Sequence, residues 1–460
     1  MICLKRFKLF IFNTSILIIT SLIFRGIDIY FTSYVSQKIG THLLGVYQLI
    51  MSVYLFGITL ATSGINLAVT RVVSEELALG NKSSVKIVMR KCLYITLTTS
   101  IFTSLVFWAN SNFIVSKCLD NKVSKSVVYL FCLALPPISM SSAIAGYFAG
   151  VRRIYKNAVG QFIEHVFKVI ITMLLISLFL PKGLNYACFA LILGDLISEI
   201  ISFIYIFIVF LLDKRRYNEF LEPAYYNNHN FPNSYTYKIV RISIPIAITS
   251  YIRSGLSTLK QLIIPSSLEK SGINSSLALS NYGIINGMAL PIIMFPDILV
   301  KTFSSLLIPE FSRYHAKKDL KRAKQITTIL LVCIFLFSIL LCTFLFVFSD
   351  FLGKIIYKSI DASYYIKLLA PLAIFIYVDT VVDSILRGLD SQVNVMLINI
   401  LDLVISTSFI FFCVPKLGLT GYIISIYMSE VINFTLSLMS LWGRLLKDKN
   451  VQLKTSPIGH

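Results

Sequence analysis

Apolar runs of about twenty residues recur from one end of this 460-residue chain to the other, and nothing else limits its fold as severely. A run of that length matches the ~30 Å hydrocarbon core of a bilayer, crossed at about 1.5 Å per residue. Inside lipid the backbone must satisfy its own hydrogen bonds, which a helix does within one segment. Twelve windows are predicted as spanning helices. Six lie near 9–32, 43–69, 91–115, 126–150, 157–181 and 184–212. Six more lie near 239–265, 277–308, 326–350, 364–387, 393–415 and 418–443. The eighth and tenth are interrupted by Pro291, Pro296 and Pro371. The fold class is therefore an all-α polytopic membrane protein. At 56% hydrophobic and 14% charged residues, the composition lies well outside the soluble range of about half apolar and a quarter charged.

Charge tests the windows. The net charge of +20 could suggest nucleic acid, but in a membrane chain basic residues collect in cytoplasmic loops. The termini and even-numbered connections hold 27 Lys and Arg, the odd-numbered connections nine. A missed or surplus window in mid-chain would scramble that asymmetry. Both termini are expected in the cytoplasm, and no nucleic-acid partner is needed. Lys5-Arg6-Phe7-Lys8 followed by apolar residues looks like a signal peptide, yet the run is too long and meets Arg25 rather than a small-residue cleavage site. It reads as an uncleaved first helix.

The halves look like copies. Ala149-Gly150-Val151 matches Arg387-Gly388-Leu389, Leu180-Pro181-Lys182 matches Val414-Pro415-Lys416, and Ser198-Glu199 matches Ser429-Glu430, with Glu164 opposite Asp402. The offsets run from 231 to 238 residues. Six windows per copy keep both copies in one orientation, as in transporters that rock two bundles around a central site. The expected organisation is a six-helix lobe over 1–212, a polar cytoplasmic linker over 213–238, a second six-helix lobe over 239–443 and a cytoplasmic tail over 444–460.

Gly45-Val46-Tyr47 with "LATSGINLAVTRVVSEELALGN" (60–81), and "RGLDSQVNVMLINILDLVIS" with "VPKLGLTGY" (414–422), resemble the stage V sporulation protein B group of polysaccharide-biosynthesis flippases. That group belongs to the multidrug/oligosaccharidyl-lipid/polysaccharide (MOP) exporter superfamily, beside the lipid II and O-antigen flippases. The resemblance implies a V-shaped, MATE-like two-lobe fold that turns over a lipid-linked anionic saccharide, a peptidoglycan or polysaccharide precursor used in cell-wall or sporulation chemistry. Many members have fourteen spans, so a lipid groove built from two extra C-terminal helices is not carried over.

Charges inside the windows cost on the order of 2.5–3.5 kcal/mol each at a helix centre, so they should face partners or a wet cavity. Six are cations: Arg25, Lys168, Arg253, Lys260, Lys301 and Lys367. Glu164 with Lys168 and Asp297 with Lys301 are four apart and can pair along one helix face. Arg253 lies 12 residues beyond Arg241, about 18 Å along the helix, and Lys260 follows two turns later. No acid shares their window. A pyrophosphate would find two-pronged bonds at arginine and a point charge at lysine, whereas pairing with acids of other helices is the structural alternative. Arg25 reads as the first-lobe counterpart of Arg253, with Asp28, three residues on, holding it. Expected substrate-binding residues are thus Arg25, Asp28, Arg253 and Lys260. Asp195/Glu199 and Asp379/Asp383 are acids four apart, and their repulsion favours uptake of a proton, a bound cation or a distant basic partner. They are the expected ion-coupling residues, for H+ or Na+.

Enzyme signatures are missing: no GxxxxGK[ST] loop, no GxSxG elbow, and five scattered histidines without metal spacing. The eight cysteines form no CxxC pair. No cofactor, metal or catalytic residue is expected, and the partners are membrane lipids, a lipid-linked saccharide and a coupling cation. A cation-coupled exporter of small amphiphiles and a non-transporting scaffold for envelope-synthesis enzymes stand as alternatives.

Overall fold

The computed structural model describes residues 2–80, 82–219, 233–317 and 319–455, with side chains at 19–80, 84–181, 183, 186–213, 235–317 and 319–446. The described residues are helical almost throughout. The first half contains α1 (Ile2–Thr62), α2 (Ile65–Ala78), α3 (Lys82–Ala109), α4 (Lys125–Gly150), α5 (Ile154–Phe179) and α6 (Leu184–Glu219). The second contains α7 (Asn233–Lys270), α8 (Ser275–Ile284), α9 (Asp297–Ala316), α10 (Leu320–Val347), α11 (Ser349–Ile356), α12 (Ile360–Leu369), α13 (Leu372–Gly388) and α14 (Gln392–Thr455).

Every apolar window falls on helix, whole or broken. Among the described residues eight helices are long and apolar enough to cross a membrane, or nine counting the pair α12 and α13, bent by 52° at Ala370-Pro371. Two of the eight, Ile19–Ala78 and Gln392–Leu446, cover 60 and 55 residues, each long enough for two crossings. Both are broken by a glycine in a conformation closed to most side chains: Gly40 (φ 79°, ψ 168°) and Gly418 (φ 58°, ψ −137°). The window 239–265 is the exception. Its helix, α7, carries Arg241, Arg253 and Lys260 and is too polar to qualify.

The chain forms two compact units. The first joins the chain up to Phe31 to Val46–Thr258, and the second joins Thr32–Gly45 to the chain from Leu259 onward. The windows at 9–32 and 239–265 thus each end near a unit boundary. The stretch 213–238, read as a linker, lies mostly outside the described residues, as does the end of the tail 444–460.

In lipid, helices gain little from apolar burial against each other and associate through close packing and hydrogen bonds. The first unit uses both. Ser142, Gly146 and Gly150 form a stripe of small residues along α4, and a Cβ on Gly146 would collide with the α2 backbone at Asn66. Across that seam Asn66, Thr70 and Ser74 donate to the carbonyls of Ser142, Gly146 and Gly150 at 3.2, 3.0 and 3.3 Å. Val69, Val72, Val73, Ile144 and Phe148 close the core beside this ladder.

The backbone repeats in register. Left-handed positions recur at Gly40 and Gly272, Asn121 and Lys358, Arg152 and Asp390, and Gly183 and Gly418. Those pairs are separated by 232 to 238 residues, within the offsets of the sequence repeat. Contacts repeat too. In the second unit Thr380 on α13 donates to Asp297 at the start of α9 at 3.1 Å, at offsets 238 and 231 from Ser142 and Asn66.

Candidate functional site

In the first unit α5 turns one polar face inward: Asn157, Gln161, Glu164 and Lys168 follow the three- and four-residue steps of a helix. α6 answers with Asp195, Ser198, Glu199 and Ser202 in the same rhythm. Between them and α1 and α4 lies a cavity of about 390 Å³. Its far wall is largely apolar, with Met51, Leu55, Ile58 and Ile138.

Lys168 Nζ lies 3.0 Å from Asp195 Oδ1, on the neighbouring helix. This corrects the expected pairing with Glu164: the long lysine stem reaches across to α6 rather than back along its own helix. Tyr47 donates to the other Asp195 oxygen at 3.4 Å, and the ammonium also sits 5.3 Å from the Phe31 ring centroid. Asp195 therefore has the basic partner that its own helix lacks. Glu164 and Glu199 both line the cavity beside this pair.

Arg25 and Asp28 also belong to the first unit. Asp28 Oδ1 lies 3.2 Å from His165 Nδ1 on α5, and the His165 ring stacks on Phe24 with centroids 4.6 Å apart. Arg25 is half-buried and its Nε has no hydrogen-bond partner among the described residues, so Asp28 does not hold it through that atom. Arg253 is exposed.

The second unit contains Lys260, Asp379 and Asp383. Lys260 Nζ donates to Ser429 Oγ at 3.3 Å, and Ser429 donates to Asp402 at 2.7 Å, with Glu430 close to the same lysine. Lys260 thus reaches Asp402, on another helix, through the Ser429 hydroxyl. Asp379 is buried and accepts from Asn433 at 2.8 Å. Asp383 accepts from Ser437 at 3.3 Å and lies 3.6 Å from Arg387, one turn along its own helix. Arg387 gives Asp383 a basic neighbour in its own helix, nearer than the distant partner expected from the spacing. Lys301 makes the expected pair with Asp297 at 2.6 Å, and Lys367 lies over the Phe346 ring. Of the six cations inside the windows, Arg25, Arg253 and Lys367 form no ion pair or hydrogen bond among the described residues, and Lys367 has the Phe346 ring beneath it.

A family model described as "Polysaccharide biosynthesis protein" matches residues 10–315, and a second, MatE, matches 245–412. The chain is 23% identical over 428 residues to Stage V sporulation protein B of Bacillus subtilis (strain 168), covering 92% of this chain and 82% of that protein. It is 22% identical over 347 residues to Sporulation protein YkvU of the same organism, covering 74% of each. Among solved structures, an inward-facing multidrug resistance MATE family transporter of the MOP superfamily matches with a TM-score of 0.68, 12% identity and coverage of 95% and 96%. A MOP superfamily transporter from Pyrococcus furiosus, described by the reverse polarity of its binding pocket, matches with a TM-score of 0.64, 13% identity and coverage of 94% and 95%. At these identities the structures establish the fold alone. Helices, apolar spans and fold together define a multi-pass membrane protein with the helical fold of those transporters. Within that class, the chain belongs to the polysaccharide biosynthesis protein family.

Proposed function

We propose that this protein is a flippase that carries a lipid-linked anionic saccharide, a peptidoglycan or polysaccharide precursor, across the bacterial cytoplasmic membrane. The family and the names of the sporulation relatives support the substrate class. The observation that carries the reading is the pair Arg25 and Arg253. Lysines 168, 260 and 301 are held by internal partners, whereas these two guanidinium groups have none among the described residues. Free guanidinium groups suit a pyrophosphate, which takes two-pronged hydrogen bonds. Two six-helix lobes, 1–212 and 239–443, with both termini cytoplasmic, would expose the site to either side in turn.

The test is translocation of a polyprenyl-pyrophosphate-linked disaccharide in reconstituted vesicles. Arg25→Ala with Arg253→Ala should lower the initial rate at least tenfold and leave the unfolding midpoint in place. Full activity in that double variant would sink the assignment.

A second reading, a cation-coupled exporter of small amphiphiles, is favoured by the carboxyl groups of Glu164 and Glu199, which line the first-unit cavity. The same vesicles separate the two: transport of an organic cation, driven by a proton gradient and lost in Glu199→Gln, selects the exporter.

A further inference from the structure

The first-unit cavity holds hydrogen-bonding groups that the protein itself leaves unused. Ser141 Oγ is buried without a partner. Asn157 and Gln161, one turn apart on α5, line the cavity and make no hydrogen bond among the described residues. Buried polar groups are almost always satisfied, so the Ser141 hydroxyl calls for a partner, while the half-buried Asn157 and the exposed Gln161 are open to one entering the cavity. Across from them stand Met51, Leu55 and Ile58, with Tyr54, whose ring stacks on Phe131 at 4.7 Å.

We propose that this cavity receives the neutral, hydroxyl-bearing sugar portion of the substrate, with Asn157 and Gln161 hydrogen-bonding to it. The proposal rests on the flippase reading above and adds the part of the substrate that the arginines do not address. Three ligand classes can be weighed. A phosphate is disfavoured, because Glu164, Asp195 and Glu199 outnumber Lys168, which Asp195 already holds at 3.0 Å. An organic cation suits the acids but gives Ser141, Asn157 and Gln161 nothing to do. A sugar ring has an apolar C–H face and a polar edge, which match the mixture of apolar and polar residues in the lining. Its hydroxyls donate and accept at once, as side-chain amides do. The volume, about 390 Å³, falls in the range of small-ligand pockets.

The full-length protein, purified in detergent, is titrated with a polyprenyl pyrophosphate carrying a neutral disaccharide and, separately, with the same lipid lacking the sugar. Ligand-induced shift of the unfolding midpoint reports binding. The unmodified protein should bind the sugar-bearing lipid at least tenfold more tightly. Asn157→Leu with Gln161→Leu should bring the two lipids within about twofold of each other. Gln161→Leu alone, at an exposed position, should remove part of the preference and guards against a double variant that fails to fold. An equal affinity of the unmodified protein for both lipids overturns the assignment, and so does an undiminished preference in the variants. Displacement of the sugar-bearing lipid by tetraphenylphosphonium, with Gln161→Leu silent, gives the cavity to cations and overturns it as well. A sugar preference without translocation in vesicles would refute the flippase reading and leave the cavity assignment standing.

Discussion

Glu164, Ser198 and Glu199 in the first unit and Asp402, Ser429 and Glu430 in the second hold matching places in the repeat, yet their cations arrive from different helices. In the first unit Lys168 comes from α5 and goes to Asp195, beside the matched set rather than into it. Ser198 is then left with only its own helix, donating to the Asp195 carbonyl at 2.8 Å. In the second unit Lys260 comes from α7 and enters the set directly through Ser429. One acidic framework thus serves two ends. Where the lysine is held to one side, two carboxyl groups face an open cavity; where it enters the set, the serine is spent on an internal bridge.

The sharpest way to break this contrast is to remove Asp195. Its side chain is 8% exposed and that of Lys168 21%, so the lysine would be stranded with little access to water. Removing one partner of a buried pair typically costs about 3–5 kcal/mol, whereas replacing both with apolar residues is often neutral. Asp195→Ala should therefore lower the unfolding midpoint severely, and Asp195→Leu with Lys168→Met should recover most of the loss. A mild single variant would mean that Lys168 finds Glu164 instead and that the two units are closer in design than the distances indicate.

Much of this arrangement was legible in the residues, and the part that was not shares a cause. Helices, their proline breaks and the Asp297–Lys301 pair depend on neighbours along the chain, and the repeat offset on a match between its halves. Lys168 to Asp195 and Asp28 to His165 depend on which helices lie side by side, which spacing does not report. Two misses had visible signals. Arg387 follows Asp383 by four residues, and Asn157, Gln161, Glu164 and Lys168 trace one helix face. Neutral amides simply draw less notice than charges in an apolar run.

A middle-sized effect should separate the two serines. Ser429 joins an ammonium to a carboxylate, and hydrogen bonds to charged groups contribute about 1.5–3 kcal/mol. Ser198 bonds a carbonyl three residues back in its own helix. Ser429→Ala should therefore destabilise the protein by about 2 kcal/mol in denaturant unfolding and Ser198→Ala by less than about 1 kcal/mol. Equal costs would remove the distinction between an internal bridge and a spare hydroxyl.

The smallest effect sharpens the comparison at the helix seams. Thr70 bonds the Gly146 carbonyl in the first unit, and Thr380 bonds the Asp297 carboxylate in the second. Interhelical hydrogen bonds in membranes average about 0.6 kcal/mol, because the alternative state also finds partners. Thr70→Val should cost about that much, with Asn66 and Ser74 still holding the seam on either side. Thr380→Val should cost somewhat more, since its acceptor is charged, but the loss is limited because Lys301 remains 2.6 Å from Asp297. Adding Lys301→Met to Thr380→Val should then cost more than the two single changes combined, as Asp297 loses both partners. Additive losses would mean that the carboxylate reaches water, and that the second-unit seam is wetter than its first-unit counterpart.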